Sequence, residues 1–502
     1  MSKLTPTSEQ QLIIDTALTG VDIKIEARAG AAKSSTCMMV AEQLVKPSIY
    51  IAFNKAIAEE AATKFPGHVT CRTMHSIAYR EIVTPKMRKK LQGFFNAGDV
   101  RKLPRYNRLQ PEEAEDIVYS TIAIITNFCR SDSFDLPDFV SNTEVEEGVI
   151  IDIELILAYW EELKNEDSPT KITHDVYLKL YQLSKPVLQY RVIYIDEYQD
   201  TNPVVADIFM RQKGQKIAVG DTYQSIYEWR GAINALAYLP DTFTTLYLTE
   251  SFRFTQGIAD MATRLLNIVG NDRPVIGRGD IDKYNPDKAS KAVIVRNNSS
   301  LLEILLTASD NGEKVYVLTN LKELWGKLYH IQAILGGYAP KFPDKELTQY
   351  KDRSELLEAA NYQAELNKLI NLTMQLSRGG LSTNINNIKN IIVSEENNAS
   401  FALTTGHKSK GLEWDKVTLY HDLLPRELDE EGNEIELDDI TFMEKLKQGQ
   451  CLELLYVALT RARYEVVLPM KLKGILGDSG KDTRPKTSLR DKVSSIYETL
   501  LG

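Results

Sequence analysis

The sequence predicts an α/β protein of two domains, each interrupted by a helical insertion, and three observations lead there. The chain has 502 residues, about three times the usual length of one domain. Short apolar runs that end in turns alternate with helix-period segments in two separate stretches, the pattern of strands joined by helical crossovers. Between them lie segments with helical periodicity and little strand character.

The composition is that of an ordinary globular protein: 43% hydrophobic, 26% charged, 27 Gly and 18 Pro. That excludes disordered, collagen-like and membrane-spanning classes. Residues 1–10 lack the apolar core of a secretory signal, so a cytosol-like compartment is expected. The four cysteines, Cys37, Cys71, Cys129 and Cys451, are too scattered for a disulfide framework or a zinc site and read as buried or partly buried thiols. A net charge of -9 argues against coating nucleic acid with the whole surface but leaves room for a local basic groove.

In chain order, residues 22–27 (DIKIEA) read as a buried strand, 33–45 as a helix and 48–53 (SIYIAF) as a second strand. The pattern resumes near residue 190, where RVIYIDE and KIAVGD each end in carboxylates. A second α/β region is expected to open near residue 241 with TTLYLTE, to continue through KAVIVRN and EKVYVLTN, and to close with WDKVTLYHD and EVVLPM. The expected organisation is a first domain over 1–85 and 189–245 with a helical insertion at 86–188, then a second over 246–340 and 396–502 with a small insertion at 341–395. Residues 86–108 carry eight basic side chains against one acid, Asp99. They read either as a phosphate-facing patch or as a solvated helix face. Residues 427–439 hold eight acids and no Lys or Arg, as in an exposed acidic loop.

The chemistry starts at the turn after the first strand: Ala27-Arg28-Ala29-Gly30-Ala31-Ala32-Lys33-Ser34-Ser35-Thr36. Small residues let backbone N–H groups close around an anion, and the helix N-terminus adds positive potential. Lys33 can then reach the β and γ phosphates while Ser34 ligates magnesium. Ala32 stands where a glycine usually precedes the lysine, and a positive φ there would cost on the order of 1 kcal/mol. The partner segment is Tyr194-Ile195-Asp196-Glu197, where an apolar strand delivers two carboxylates. Asp196 can hold the metal while Glu197 orients and deprotonates water, as phosphoryl transfer to water requires.

Four further segments follow in order: residues 220–232 (GDTYQSIYEWRGA), 250–253 (ESFR), 405–414 (TGHKSKGLEW) and 455–463 (LYVALTRAR). The set resembles the superfamily 1 DNA helicases of the UvrD/Rep group. IAFNKAIAEEA, MHSIAYR and TESFRF look most like the F-box DNA helicase branch, although no F-box is recognised. The resemblance implies two RecA-like P-loop NTPase domains, with ATP and Mg2+ bound in the cleft between them. It implies catalytic roles for Lys33, Asp196, Glu197, Gln224, Arg253 and Arg461, the two arginines stabilising charge on the γ-phosphate. ATP would be held by Gln10 at the adenine edge, residues Ala29, Gly30, Ala31, Ala32, Lys33, Ser34 and Ser35 at the phosphates, Phe252 on the base and Glu413 at the ribose; Ser34 and Asp196 would hold the metal.

For single-stranded DNA the resemblance implies Tyr227 and Trp229 as stacking aromatics, with Thr73, His75, Arg230 and His407 as further contacts. A structural histidine stays open for His75. Phe53 is not expected to stack on bases, because a one-residue shift on a strand turns a side chain to the other face. The resulting expectation is an ATP-driven motor that moves 3'-to-5' on single-stranded DNA and unwinds tailed or forked duplexes. Its alternatives are a translocase that mainly strips proteins and a nucleotide-gated DNA-binding module. Replication or recombination proteins are the expected protein partners, no membrane partner is expected, and the chain's compactness suggests a phage or mobile-element origin.

Overall fold

The computed structural model describes residues 5–144, 148–228, 231–344, 346–428, 434–435, 437–448 and 450–477. The chain divides into two compact units. The first comprises residues 1–28 and 32–248, the second residues 29–31 and 249–502.

The first unit is built on six parallel strands: β1 (Ile23–Ala27), β2 (Ser48–Ile51), β3 (Val69–Arg72), β4 (Val192–Ile195), β5 (Gln215–Gly220) and β6 (Thr244–Leu248). Their order is β3-β2-β4-β5-β1-β6. The inner strands β2 and β4 are buried at every position, as a sheet covered on both faces requires. Helix α1 (Ser8–Leu18) precedes β1, and α2 (Lys33–Gln43) follows it. β5 lies between β1 and β4, so the turns leaving these three strands gather at one end of the sheet. In open parallel sheets that end is where ligands bind.

The strand at 244–248 corrects the sequence reading. It does not open the second α/β region but pairs along β1, from Ile23↔Thr244 to Ala27↔Leu248, as the edge of the first sheet. β3 was not anticipated, being only four residues long and half-buried.

The helical insertion follows α3 (Met74–Ile82) and includes α4 (Ala114–Arg130), α5 (Ile153–Lys164) and α6 (His174–Leu183). α4 shows why such a segment is helical. Ile117, Val118, Ile124, Ile125 and Phe128 recur on one buried face, Glu115 and Asp116 sit in the first turn and Arg130 in the last. These side chains join Ile49, Ile51, Ile193 and Ile195 of the sheet in one core, so the insertion is fused to the unit that carries it. The basic run at 86–108 is largely spent within the chain. Lys86 pairs with Asp167, Arg101 with Glu115, Lys102 with Asp99 and Arg105 with Asp152, while the buried Lys90 donates to the Glu162 and Asn165 carbonyls.

The second unit holds five parallel strands, β7 (Lys291–Val295), β8 (Val315–Val317), β9 (Phe401–Thr405), β10 (Trp414–Leu419) and β11 (Ala462–Val467), ordered β8-β9-β7-β10-β11. Helices at Arg353–Tyr362, Ala364–Ser377 and Leu381–Ile391 form its insertion and bury Leu356, Leu366 and Ile385 in the same core as Val295 and Leu403 of the sheet. Residues 429–433 and 436 of the acidic run at 427–439 lie outside the described residues, and Asp438 near its end caps the helix Asp439–Lys447. No helix among the described residues is long and apolar enough to cross a membrane. All four cysteines are free, with Cys37, Cys129 and Cys451 buried and Cys71 half-buried.

Candidate nucleotide and nucleic-acid sites

The head of α2 and the turn after β4 meet in the first unit. Lys33, the first residue of α2, places Nζ 2.7 Å from Glu197 Oε1. Ser34 Oγ donates to Asp196 Oδ2 at 3.0 Å. Two backbone conformations produce this arrangement. Ala32 caps α2 at φ 54°, ψ 40°, and Glu197 takes φ 51°, ψ 43°. Both are left-handed positions that side chains normally avoid. Strain of this kind persists where surrounding structure enforces it, commonly at functional sites. Ala32 therefore does adopt the positive φ expected of the glycine it replaces.

Charge and burial reinforce one another here. Burial works to lower the Lys33 ammonium, but the charges of Glu197, Asp196 and Asp221 and its bond to Glu197 outweigh it and raise it above the ordinary value. Asp196 is pushed up by burial and by the charge of Glu197, against the pull of Lys33.

Sequence reasoning missed two members of this cluster. Gln199, fully buried, donates from Nε2 to Glu197 Oε2 at 2.6 Å and accepts at Oε1 from the Asp221 amide at 3.0 Å. Gly220 makes room for it, since a Cβ there would lie 2.2 Å from Gln199 Oε1. Tyr50, fully buried in the middle of β2, donates to Asp196 Oδ2 and lies 3.2 Å from Ser34 Oγ. Tyr50 could have been suspected as a polar group at an otherwise apolar position. Gln224 joins the same end of the sheet by donating to Asp221 Oδ2 at 2.6 Å.

Ser34 and Asp196 offer two hard oxygens side by side, with no group of three or more His, Cys, Asp or Glu assembled for a metal among the described residues. That suits magnesium, which is commonly bound through one or two protein oxygens together with substrate phosphates. Gln10 is buried, closes a capping box with Thr7 and donates to Thr36 Oγ1 at 3.1 Å. Ser35 is half-buried in the first turn of α2.

In the second unit, Arg253 Nε pairs with Glu413 Oε2 at 3.0 Å and Nη1 donates to the Thr460 carbonyl at 3.1 Å. Arg461, next in sequence to Thr460, is buried and donates to the Val457 carbonyl at 2.8 Å. The structure thus gathers Arg253, Glu413 and Arg461. The loop residues Ala29–Ala31 group with this unit: the Ala29 amide donates to the Tyr456 hydroxyl and the Gly30 carbonyl accepts from the Phe252 amide. Phe252 leaves half its surface exposed.

Comparison with known proteins agrees with this architecture. Residues 8–239 match the UvrD/REP helicase N-terminal domain and residues 301–472 the UvrD-like helicase C-terminal domain. The chain belongs to the UvrD/Rep helicase family. Among curated relatives it is similar to F-box DNA helicase 1 of Gallus gallus, 28% identical over 96% of this chain and 50% of that protein. It is likewise similar to F-box DNA helicase protein 1 of Schizosaccharomyces pombe, 28% identical over 92% of this chain and 57% of that protein. A third relative, the ATP-dependent DNA helicase PcrA of Leuconostoc citreum, is 28% identical over 34% of this chain and 23% of its own length. The chain thus spans about half the length of the two F-box relatives.

The nucleic-acid candidates of this UvrD/Rep member are placed unevenly. Trp229 and Arg230 lie outside the described residues. Tyr227 is half-buried and stacks on Phe53, with ring centroids 5.9 Å apart and planes 17° from parallel. Phe53 lies just past the end of β2 at Ile51 and is 43% exposed. Thr73 caps α3 by accepting from the Ser76 amide. His75 meets Tyr177 edge-on, and burial, opposed by Asp175, lowers its pKa. Both line a cleft of about 1380 Å³ in the first unit, with Lys55, Arg72, Tyr79 and Arg80 also on its walls. His407 lies in the short helix Gly406–Ser409 of the second unit.

Proposed function

We propose that the chain is an ATP-dependent motor that moves along single-stranded DNA, in the 3'-to-5' direction, and separates duplexes. The observation that carries this reading is the meeting of Lys33 with Glu197 and of Ser34 with Asp196 in one turn cluster, in a chain of a helicase family.

In this reading Lys33 leaves Glu197 for the β and γ phosphates. Glu197, still held by Gln199, takes the proton of the attacking water. Gln224, tied to Asp221, senses the γ-phosphate, and Arg253 and Arg461 are the cations that stabilise transferred charge. Magnesium, when held by Ser34 and Asp196, supplies charge neutralisation at the phosphates. Gln10, Phe252 and Glu413 are assigned to the nucleoside, and Tyr227 with Phe53 to the bases of the strand.

The test is ATP hydrolysis by the purified chain with and without single-stranded DNA, followed by strand separation on 3'-tailed and 5'-tailed duplexes. Hydrolysis indifferent to DNA, or surviving Lys33→Ala, would sink the proposal. A second reading keeps the motor but makes protein displacement its main output. It is favoured by the second insertion, whose helices spend Leu356, Leu366 and Ile385 on the core of their own unit. Efficient clearing of a bound protein together with weak unwinding by the same preparation would favour that reading.

A further inference from the structure

Tyr50 places a phenol in the middle of an all-buried strand. β2 reads Ser48-Ile49-Tyr50-Ile51 and every one of these is buried. An apolar side chain would satisfy that position, whereas a buried phenol needs a hydrogen-bond partner. Its partner is the carboxylate assigned to the metal. The Tyr50 hydroxyl donates to Asp196 Oδ2, and the same oxygen lies 3.2 Å from Ser34 Oγ. Ser34 Oγ donates to Asp196 Oδ2 at 3.0 Å, and Asp196 Oδ1 accepts from the Glu197 amide at 2.9 Å. Three donors therefore fix the carboxylate, one on Oδ1 and two on Oδ2.

These donors differ in what they can do once a cation arrives. Ser34 would have to turn its hydroxyl proton away, because its oxygen becomes a ligand. The Glu197 amide holds only the far oxygen. The phenol is the one side-chain donor that can stay on Oδ2 while the carboxylate faces the metal. Its ring is held independently by Phe65, with centroids 4.6 Å apart.

We infer that Tyr50 is a positioning residue for the magnesium site, aiming Asp196 Oδ2 and the Ser34 hydroxyl at a common point. The inference rests on the nucleotide reading proposed above. Partners of this kind, one step behind a metal ligand, typically change metal affinity or activity by about 10- to 100-fold when removed.

The test reads binding rather than turnover. A fluorescent ADP analogue is titrated onto wild type, Tyr50→Phe and Phe65→Leu at increasing magnesium concentration, with folding checked by thermal melting. Tyr50→Phe keeps the ring and should need about tenfold or more magnesium for half-maximal tightening of nucleotide, while its affinity in EDTA stays at the wild-type value. Phe65→Leu loosens the ring packing but keeps the hydroxyl, and should behave as wild type. An unchanged magnesium requirement in Tyr50→Phe, or an equal shift in Phe65→Leu, would overturn the inference. Failure of wild type to bind nucleotide at all would instead overturn the reading beneath it, and this proposal with it.

Discussion

Lys33 Nζ rests 2.7 Å from Glu197 Oε1, so the cation proposed for phosphate and the carboxylate proposed for water hold each other. Both side chains are mostly shielded from solvent, and removing either leaves the other in an unbalanced site. Their substitutions should differ in kind. Lys33→Ala should lose nucleotide affinity itself. Glu197→Gln keeps the size of the side chain and should still bind nucleotide, while hydrolysis falls by about 100-fold or more, the usual range for loss of a general base. Equilibrium binding of a fluorescent nucleotide beside steady-state phosphate release separates the two. Wild-type turnover in Glu197→Gln would remove Glu197 from the mechanism.

Ala32 holds φ 54° at the head of α2, in the region where a Cβ costs roughly 1 to 2 kcal/mol. Ala32→Gly relieves that strain but adds about 0.5 to 1 kcal/mol of unfolded-chain entropy. A net stabilisation below about 1 kcal/mol is expected, seen as a melting temperature higher by about 1 to 3 °C, with nucleotide binding retained. A lower melting temperature would show that the alanine methyl makes packing contacts worth more than the strain.

The sequence made some of this legible and hid the rest for identifiable reasons. β4 could be read because four apolar residues run straight into Asp196 and Glu197, and the phosphate turn because Lys33 and Ser34 follow small residues at a strand end. β3 and β9 were missed, since strands of four or five residues with mixed burial carry little periodic signal. The strand at 244–248 was recognised as a strand but given to the wrong sheet, because alternation says nothing about which neighbour a strand will pair with. Tyr50 and Gln199 escaped because each looks, in sequence, like a core aromatic or a turn amide. Their roles depend on side chains brought from more than one strand end.

Lys179 offers a pH test away from the nucleotide site. It is fully buried in α6, donates to the Ser131 and Ser133 carbonyls, and lies 4.2 Å from the Phe128 ring centroid. Burial lowers its pKa from 10.5 to about 8, against the pull of neighbouring acidic groups. Because the folded value lies below the unfolded one, the ammonium is penalised in the folded state at neutral pH. The penalty is present in full below about pH 8 and disappears as pH rises towards 10.5. Stability should therefore gain on the order of 2 kcal/mol across that window. Urea unfolding at pH 7.5, 9 and 10 on wild type and Lys179→Met isolates the effect: the difference between the two proteins should shift in favour of wild type as pH rises. A pH-independent difference would mean that Lys179 titrates normally.

The stacked pair of Phe53 and Tyr227, with ring centroids 5.9 Å apart, makes a separable prediction about grip on the strand. Base stacking on an aromatic contributes about 1 to 3 kcal/mol and is indifferent to sequence, whereas the salt dependence of binding comes from phosphate contacts. Tyr227→Ala and Phe53→Ala should each weaken binding of a fluorescent single-stranded oligonucleotide by about 5- to 150-fold while leaving the slope of log affinity against log salt unchanged. Because the rings touch, the double variant should lose less than the two single losses combined. Arg72→Ala, in the neighbouring cleft, is the contrasting case: if that cleft meets the DNA backbone, it should flatten the salt slope and spare the stacking term. A Tyr227→Ala variant with wild-type affinity would show that the strand does not run over these rings.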